Sequence, residues 1–234
     1  MRIIVIGGGE LRSKETLAID MEIARRVKSG LEEGARATAL FVPTASHDSK
    51  PYFNTFRKTY TSECDMKAEI AMVTKPRETP MSNIIAKLNL ADLIYVGGGD
   101  TGYLLDMWEG FGFTEYILNA AESGKTVVGN SAGGICWFEY CYSDSAILNG
   151  ESDEYDIIKG LGVLKGLVCP HFDIRRSDFE PCFLNSEFDS ALCVEKNCAV
   201  IFEDGEIVEV LSCGGKAYNA RKTDGKVVFE ELNV

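Results

Sequence analysis

Two short stretches hold residue types able to perform acyl transfer. The first, Gly129-Asn130-Ser131-Ala132-Gly133, fits the pattern G-x-S-x-G; the second, Cys169-Pro170-His171-Phe172-Asp173, carries one of only two histidines in the chain. Ser131 follows the apolar run TVVG at 126–129 and precedes Gly134-Ile135-Cys136-Trp137-Phe138, a segment able to start a helix. A serine on a sharp strand-to-helix turn is lifted above the sheet, where small neighbours admit a substrate and the helix N-terminus offers N–H groups and the positive end of its dipole. The Ala132 N–H is then an expected oxyanion donor. The plainer reading is a glycine-rich turn whose serine caps the helix, since serine is a favoured cap.

A hydroxyl with an ordinary pKa needs a base, and the two histidines are His47 and His171. His47 sits in Ser46-His47-Asp48, in the loop after the run TALFV at 38–42. His171 ends Leu167-Val168-Cys169-Pro170, which reads as an emerging strand. Open α/β sheets place ligand chemistry at the carboxyl ends of strands, so His171 is the favoured base, against a core histidine satisfied by a neighbouring carboxylate. An acid must also hold the imidazole tautomer. Glu195 follows the apolar run Ala191-Leu192-Cys193-Val194, and Asp144 lies in the polar loop Tyr142-Ser143-Asp144-Ser145. An aspartate between serines is more often a turn former, and spacing alone does not choose between the two.

The other glycine clusters have amides that could cradle a phosphate. Gly97-Gly98-Gly99-Asp100-Thr101 follows the run LIYV at 93–96 and suits either a phosphate or an oxyanion. Gly7-Gly8-Gly9 has Arg12 where G-x-G-x-x-G needs its third glycine, and the second strand ends at Val42-Pro43 without an acid for a ribose. Neither cluster continues as Gly-Lys-Ser/Thr. A nucleotide cofactor is therefore not expected, although a nucleotide-binding protein using Gly97 to Gly99 stays as a rival. The eight cysteines include no C-x-x-C pair, so no zinc or other metal site is expected.

The elements that must position these residues follow the pattern of an α/β domain, a mostly parallel sheet with helices on both faces. IIVI at 3–6, TALFV at 38–42, a segment at 68–73, LIYV at 93–96 and TVVG at 126–129 read as strands. Helical spacing runs from Thr16 to Leu31 and recurs near 51–62 and 81–89. After about residue 190 the runs AVIFE at 199–203, EIVEVL at 206–211 and VVFEEL at 227–232, separated by Asp-Gly and Gly-Gly turns, predict antiparallel hairpins closing one edge. With no repeat or linker, residues 1–234 read as a single domain. The formal net charge of -12 opposes nucleic acid and anionic membrane partners. No stretch has the length of a signal peptide's apolar core or a membrane span, and the cysteines read as reduced thiols, so a cytoplasmic protein is expected.

Three of these segments, Tyr95-Val96-Gly97-Gly98-Gly99-Asp100-Thr101, Gly129-Asn130-Ser131-Ala132-Gly133-Gly134 and Cys169-Pro170-His171-Phe172-Asp173, together resemble the S51 serine peptidases. That family contains aspartyl dipeptidase (dipeptidase E) and cyanophycinase. The order and separation of the segments agree to about Gly205. The resemblance implies a class I glutamine amidotransferase-like (flavodoxin-like) fold and a Ser-His-Glu triad of Ser131, His171 and Glu195, with Asp144 supporting. It also implies an oxyanion hole from Gly98 or Gly99 with Ala132. Two positions depart from the family: Asp100 stands where Asn is frequent and Gly134 where Ala is common. A negative Asp100 beside an oxyanion is unfavourable unless its carboxylate points away. The implied activity is acyl-enzyme hydrolysis of short peptides without cofactor or metal. Dipeptidase-like members select acidic residues, for which Arg175 or Arg176 could supply a clamp, against the plainer reading of a solvated helix start. The segment between His171 and Glu195 is shorter than in aspartyl dipeptidases. A catalytically silent binding or regulatory domain on the same fold is the alternative, and the oligomeric state stays open, a homodimer included.

Overall fold

The computed structural model describes residues 1–233. Its first half alternates β1 (Arg2–Ile6), α1 (Leu17–Ser29), β2 (Thr38–Val42), α2 (Lys50–Ser62), β3 (Lys67–Ile70), α3 (Met81–Leu90) and β4 (Leu93–Val96). Two helices, α4 (Thr101–Gly110) and α5 (Thr114–Glu122), then lead to β5 (Thr126–Asn130). Strands such as LIYV and TVVGN are buried along their whole length. They therefore pair in parallel beneath helices instead of alternating polar and apolar residues. Side chains set the helix starts: Ser49 accepts from the Tyr52 N–H at α2, and Asp100 accepts from the Tyr103 N–H at α4.

The second half contains α6 (Ala132–Ile135), β6 (Phe138–Ser143), α7 (Ser145–Leu148), β7 (Asp156–Lys159), β8 (Leu164–Cys169) and α8 (Phe172–Asn185). It closes with β9 (Ser190–Val194), β10 (Cys198–Glu203), β11 (Glu206–Ser212), β12 (Ala217–Thr223) and β13 (Lys226–Glu231). Two sheets result, a seven-stranded one in the order β11-β10-β1-β5-β4-β2-β3 and a six-stranded one in the order β13-β12-β9-β8-β6-β7. In the first, β1, β5, β4, β2 and β3 are parallel, and β10 and β11 add antiparallel strands. In the second, β6, β8 and β9 are parallel, with β7, β12 and β13 antiparallel at the flanks.

The late hairpins thus do not close one edge, as their spacing suggests; β10–β11 extends the first sheet and β12–β13 the second. The second sheet is hidden in the sequence because β6 and β8 mix Glu139, Lys165 and Gly166 with apolar residues. Tertiary packing, not local pattern, decides such strands.

Successive residues of the first sheet feed two cores. Ile4, Ile6, Phe41, Tyr95 and Val128 pack with Ile19 and Ile23 of α1 and Phe56 and Tyr60 of α2. Ile3, Val5, Leu40, Val96 and Val127 pack with Leu88, Trp108 and Ile117 of the opposite helices and with Val168 and Val194 of the second sheet. The far face of that second sheet is closed by Phe172, Phe179 and Phe183 of α8 against Leu167, Cys169 and Cys193. Pro181 lies inside α8. An interior proline costs on the order of 3 kcal/mol, but each of the three fully buried phenylalanines contributes roughly 2 kcal/mol, so packing outweighs the break. Among the described residues no helix is long and apolar enough to cross a membrane.

Candidate active site

The carboxyl ends of β1, β4, β5 and β8 converge on Ser131. The chain turns there at φ 51 and ψ -120, between β5 and α6. A non-glycine residue in that region stores roughly 1–3 kcal/mol of strain, which persists only where the surroundings enforce it. They do so on both sides of the peptide. The Ser131 N–H donates to the Ile6 carbonyl at 2.9 Å, and the Ser131 carbonyl accepts from Gly134 at 2.8 Å and Ile135 at 2.9 Å. A Cβ at Gly129 would overlap the Gly133 carbonyl, and one at Gly133 would overlap the Val96 carbonyl. The elbow therefore sits directly on β4 and β5, at a distance only glycine permits.

His171 follows β8 in a left-handed conformation, φ 51 and ψ 38. Its N–H donates to the Gly7 carbonyl at 2.8 Å, and its Nε2 lies 2.7 Å from Ser131 Oγ. Gly8, at φ 145, gives the ring its room, since a Cβ there would overlap the imidazole. Burial holds the His171 pKa down to about 4, helped by the positive charges of Arg175 and Lys196 and opposed by Asp144 and Asp173. The imidazole is thus neutral at neutral pH. For Nε2 to accept the serine proton, the ring proton must reside on Nδ1, and Nδ1 is buried without a hydrogen-bond partner among the described residues.

Neither carboxylate weighed as its partner reaches it. Glu195 accepts from the Lys216 N–H at 2.8 Å and the Tyr218 hydroxyl at 3.3 Å, both on the β12 side. Asp144 accepts from Arg175 Nη2 at 2.7 Å. The closed Ser-His-Glu chain implied by the resemblance is therefore not formed here, because each acid has nearer donors. The Glu195 main chain does lie beside Gly7, where a Cβ would overlap the Glu195 carbonyl.

The arginines are placed differently from the expected clamp. Arg175 is 4% exposed; besides Asp144 it donates to the Tyr142 carbonyl at 3.2 Å and lies 4.9 Å from the Tyr155 ring centroid. Arg176 is exposed and rests on Phe229 and Phe172. Arg175 is consumed by an internal ion pair and Arg176 by aromatic stacking, and neither lines the cavity at Ser131.

That cavity, of about 310 Å³, is lined by Gly9, Glu10, Tyr52, Gly98, Gly99, Asn130, Ser131 and His171. Gly98 lies against the elbow, a Cβ there falling 3.3 Å from Ser131 Cβ. Its N–H donates to the Tyr52 hydroxyl at 3.4 Å. The amides of Gly99 and Ala132 have no acceptor among the described residues; Gly99 lines the cavity, and Ala132 is the buried residue that follows Ser131. Asp100 is no obstacle, because its carboxylate accepts from the Tyr103 N–H at 3.1 Å and Asn149 Nδ2 at 3.0 Å. It caps α4 and ties it to the end of α7. His47 packs on Tyr103 with ring centroids 4.0 Å apart and does not line the cavity. A larger groove, of about 820 Å³ between α4, α5 and β7, is lined by no serine, histidine or cysteine, so size does not locate the chemistry.

Sequence reasoning missed Tyr52, Asn130 and Glu10. Burial raises the Tyr52 phenol above its ordinary pKa, but three residues past a helix cap nothing separates it from a core aromatic. Asn130 was in view as a spacer in G-x-S-x-G, yet its Nδ2 donates to the Gly9 carbonyl at 3.1 Å and ties the elbow to the first glycine loop. That loop is a seat for His171 instead of a phosphate cradle.

The model of peptidase family S51 matches residues 3–210 of the chain. The uncharacterized peptidase YgaJ of Bacillus subtilis (strain 168) is 30% identical over 239 aligned residues, covering 100% of this chain and 97% of that protein. The uncharacterized peptidase Lmo0363 of Listeria monocytogenes serovar 1/2a (strain ATCC BAA-679 / EGD-e) is 32% identical over 100 residues, 42% of this chain and 47% of that one. Among solved structures, a peptidase from an acI-B1 Actinobacterium superposes with a TM-score of 0.68 at 16% identity, over 100% of this chain and 94% of its own. That likeness speaks to the fold: two sheets, mostly parallel at their centres, with helices.

Proposed function

This chain belongs to peptidase family S51, and on that premise we propose that it is a serine peptidase hydrolysing short peptides through Ser131 and His171. The observation that carries the reading is the 2.7 Å approach of Ser131 Oγ to His171 Nε2, made at a strained elbow beside two free amides. Ser131 Oγ attacks the scissile carbonyl carbon while Nε2 takes its proton. The oxyanion is met by the N–H groups of Gly99 and Ala132, with Gly98 able to join once its amide leaves Tyr52. Collapse breaks the C–N bond, and the imidazolium returns the proton to the leaving amine. Water, deprotonated by the same nitrogen, then attacks the ester carbonyl, and the C–O bond breaks as the imidazolium returns that proton to Ser131 Oγ.

The third place goes to Glu195, by the family resemblance and because its main chain abuts the Gly7 peptide that holds the His171 N–H. The carboxylate takes up this role by leaving Lys216 and Tyr218 for Nδ1. Asp144 supports from its pair with Arg175, its charge favouring the imidazolium. The cavity volume suits a dipeptide-sized substrate. A preference for acidic residues finds no basic side chain among the lining residues to sustain it.

The bare Nδ1 favours the second reading, a catalytically silent binding domain. A fluorophosphonate probe separates the two: covalent labelling of the wild type and none of Ser131→Ala supports the peptidase, and no labelling of either leaves the silent domain.

A further inference from the structure

Apart from His171 and the Tyr52 phenol, the cavity has one ionisable side chain in its lining, Glu10. Its main chain is fixed. The Glu10 N–H donates to Glu15 Oε2 at 2.9 Å, and its carbonyl accepts from the Glu15 N–H at 3.2 Å and Ser13 Oγ at 3.4 Å. Glu15 thus spends its carboxylate on the loop, accepting from Ser13 as well. The Glu10 carboxylate accepts no hydrogen bond and joins no ion pair among the described residues.

No lysine or arginine, Arg12 included, lies within ion-pair distance of this charge among the described residues. Arg175 is paired with Asp144, Arg176 stacks on Phe172 and Phe229, and Lys196, which acts on His171, is not among the lining residues. The carboxylate's field nevertheless reaches the chemistry, since it adds to burial in raising the Tyr52 phenol beside Gly98. Glu10 is exposed at the edge of the cavity that it helps to line, and an unpaired, main-chain-anchored carboxylate there attracts ammonium and guanidinium groups and repels carboxylates.

We propose that Glu10 is a specificity-determining residue that selects substrates bringing a positive charge next to the scissile bond, the reverse of an acidic preference. The cation is either a lysine or arginine side chain or the peptide's own amino terminus. This inference rests on the serine peptidase reading for its kinetic form but not for its binding form.

The test uses X-Ala dipeptides with X as Lys, Ala or Glu, each with free and acetylated amino ends. Wild type turns over Lys-Ala with kcat/KM about tenfold or more above Glu-Ala, the scale of one hydrogen-bonded charge pair. Glu10→Gln collapses that ratio toward one, and Glu10→Lys inverts it, with cooperative melting reporting that both variants fold. A loss on acetylation that wild type shows and Glu10→Gln does not identifies the amino terminus as the cation. Preference for Lys whether or not the end is blocked identifies the side chain. The same peptides titrated calorimetrically into Ser131→Ala should bind in the same order, so a protein that resists the fluorophosphonate probe still reports on Glu10. A wild-type preference for Glu-Ala, or an order of Kd and kcat/KM that Glu10→Gln leaves in place, overturns the proposal.

Discussion

The corner after β5 and the corner after β8 each present one residue at φ 51, and they are held in different ways. Ser131 is fixed by the main chain on both sides, from Ile6 to Gly134 and Ile135, and by glycines too close to β4 and β5 to accept a side chain. His171 has its N–H on Gly7 and its ring against Gly8, but Nδ1 is bare. The position of Ser131, the proposed nucleophile, is therefore a property of the backbone, whereas the orientation of the His171 ring, the proposed base, depends on contacts that one substitution can remove. Strain at the first corner is enforced; at the second, alignment is only permitted.

The hardest test of this contrast is removal of either side chain. Ser131→Ala and His171→Ala should each lower kcat by about 10⁵-fold or more and by similar factors, because residues acting as a unit lose nearly everything together. Ser131→Gly should do the same to kcat while raising Tm by about 3 °C, as relief of roughly 1 kcal/mol of left-handed strain predicts. A variant melting below wild type would show that the elbow is not strained.

Next in size is the third group. Glu195→Gln should lower kcat by about a hundredfold or more, the wrong-tautomer effect, and Asp144→Asn by less than about tenfold on the folded protein. The opposite order in steady-state kinetics would move the third place to Asp144. Gly8→Ala should lower kcat by roughly a hundredfold, since displacing a base by about an ångström costs that much. Gly133→Ala, in contrast, should cost on the order of 3 kcal/mol of stability through backbone overlap. Comparing kcat with chemical denaturation for this pair sharpens the distinction between the corners.

The smallest effect is in pH. With His171 held near 4, kcat/KM should keep its plateau down to about pH 5, and an acid limb near 6.5 would contradict the burial argument. Folding is linked to the same shift. Unfolded chains take up a proton on this imidazole from about 6.5 downward and the folded state only near 4, so its contribution to stability is complete above 6.5 and falls as pH drops through that window. Asp20 runs the other way. Burial raises it from 3.8 to about 6 despite hydrogen bonds from Thr16 and Tyr60, so the folded state holds the extra proton and stability falls as pH rises from 3.8 to 6. The melting difference between wild type and His171→Ala should therefore shrink on acidification from 6.5 to 4.

Much of this contrast was legible in the chain. LIYV is apolar throughout, TVVG has only Thr126 as a polar residue, and both run into glycine, so β4, β5 and the elbow could be placed by pattern, and a protein with two histidines leaves little choice of base. Side-chain direction was not legible. Glu195 follows a buried run as expected, yet Lys216, just before β12, and Tyr218 within it, 21 and 23 residues away, capture its carboxylate. Arg175 looks solvated beside Asp173 and Arg176, and only the folded helix buries it against Asp144. The second sheet was concealed for the same reason, because its partners are distant in sequence.

The triglycine loop after β1 touches everything that matters here. Gly7 takes the His171 N–H, Gly8 takes the Asn197 N–H and Gly9 takes the Asn130 side chain. Residues 7–9 are thus a clasp for side chains and main chain brought from positions 130, 171 and 197, and β1 is itself held on one side by β10. Variants that weaken the β1–β10 pairing, and with it the Gly7 N–H to Cys198 carbonyl bond, should therefore loosen the Ser131 and His171 corners together.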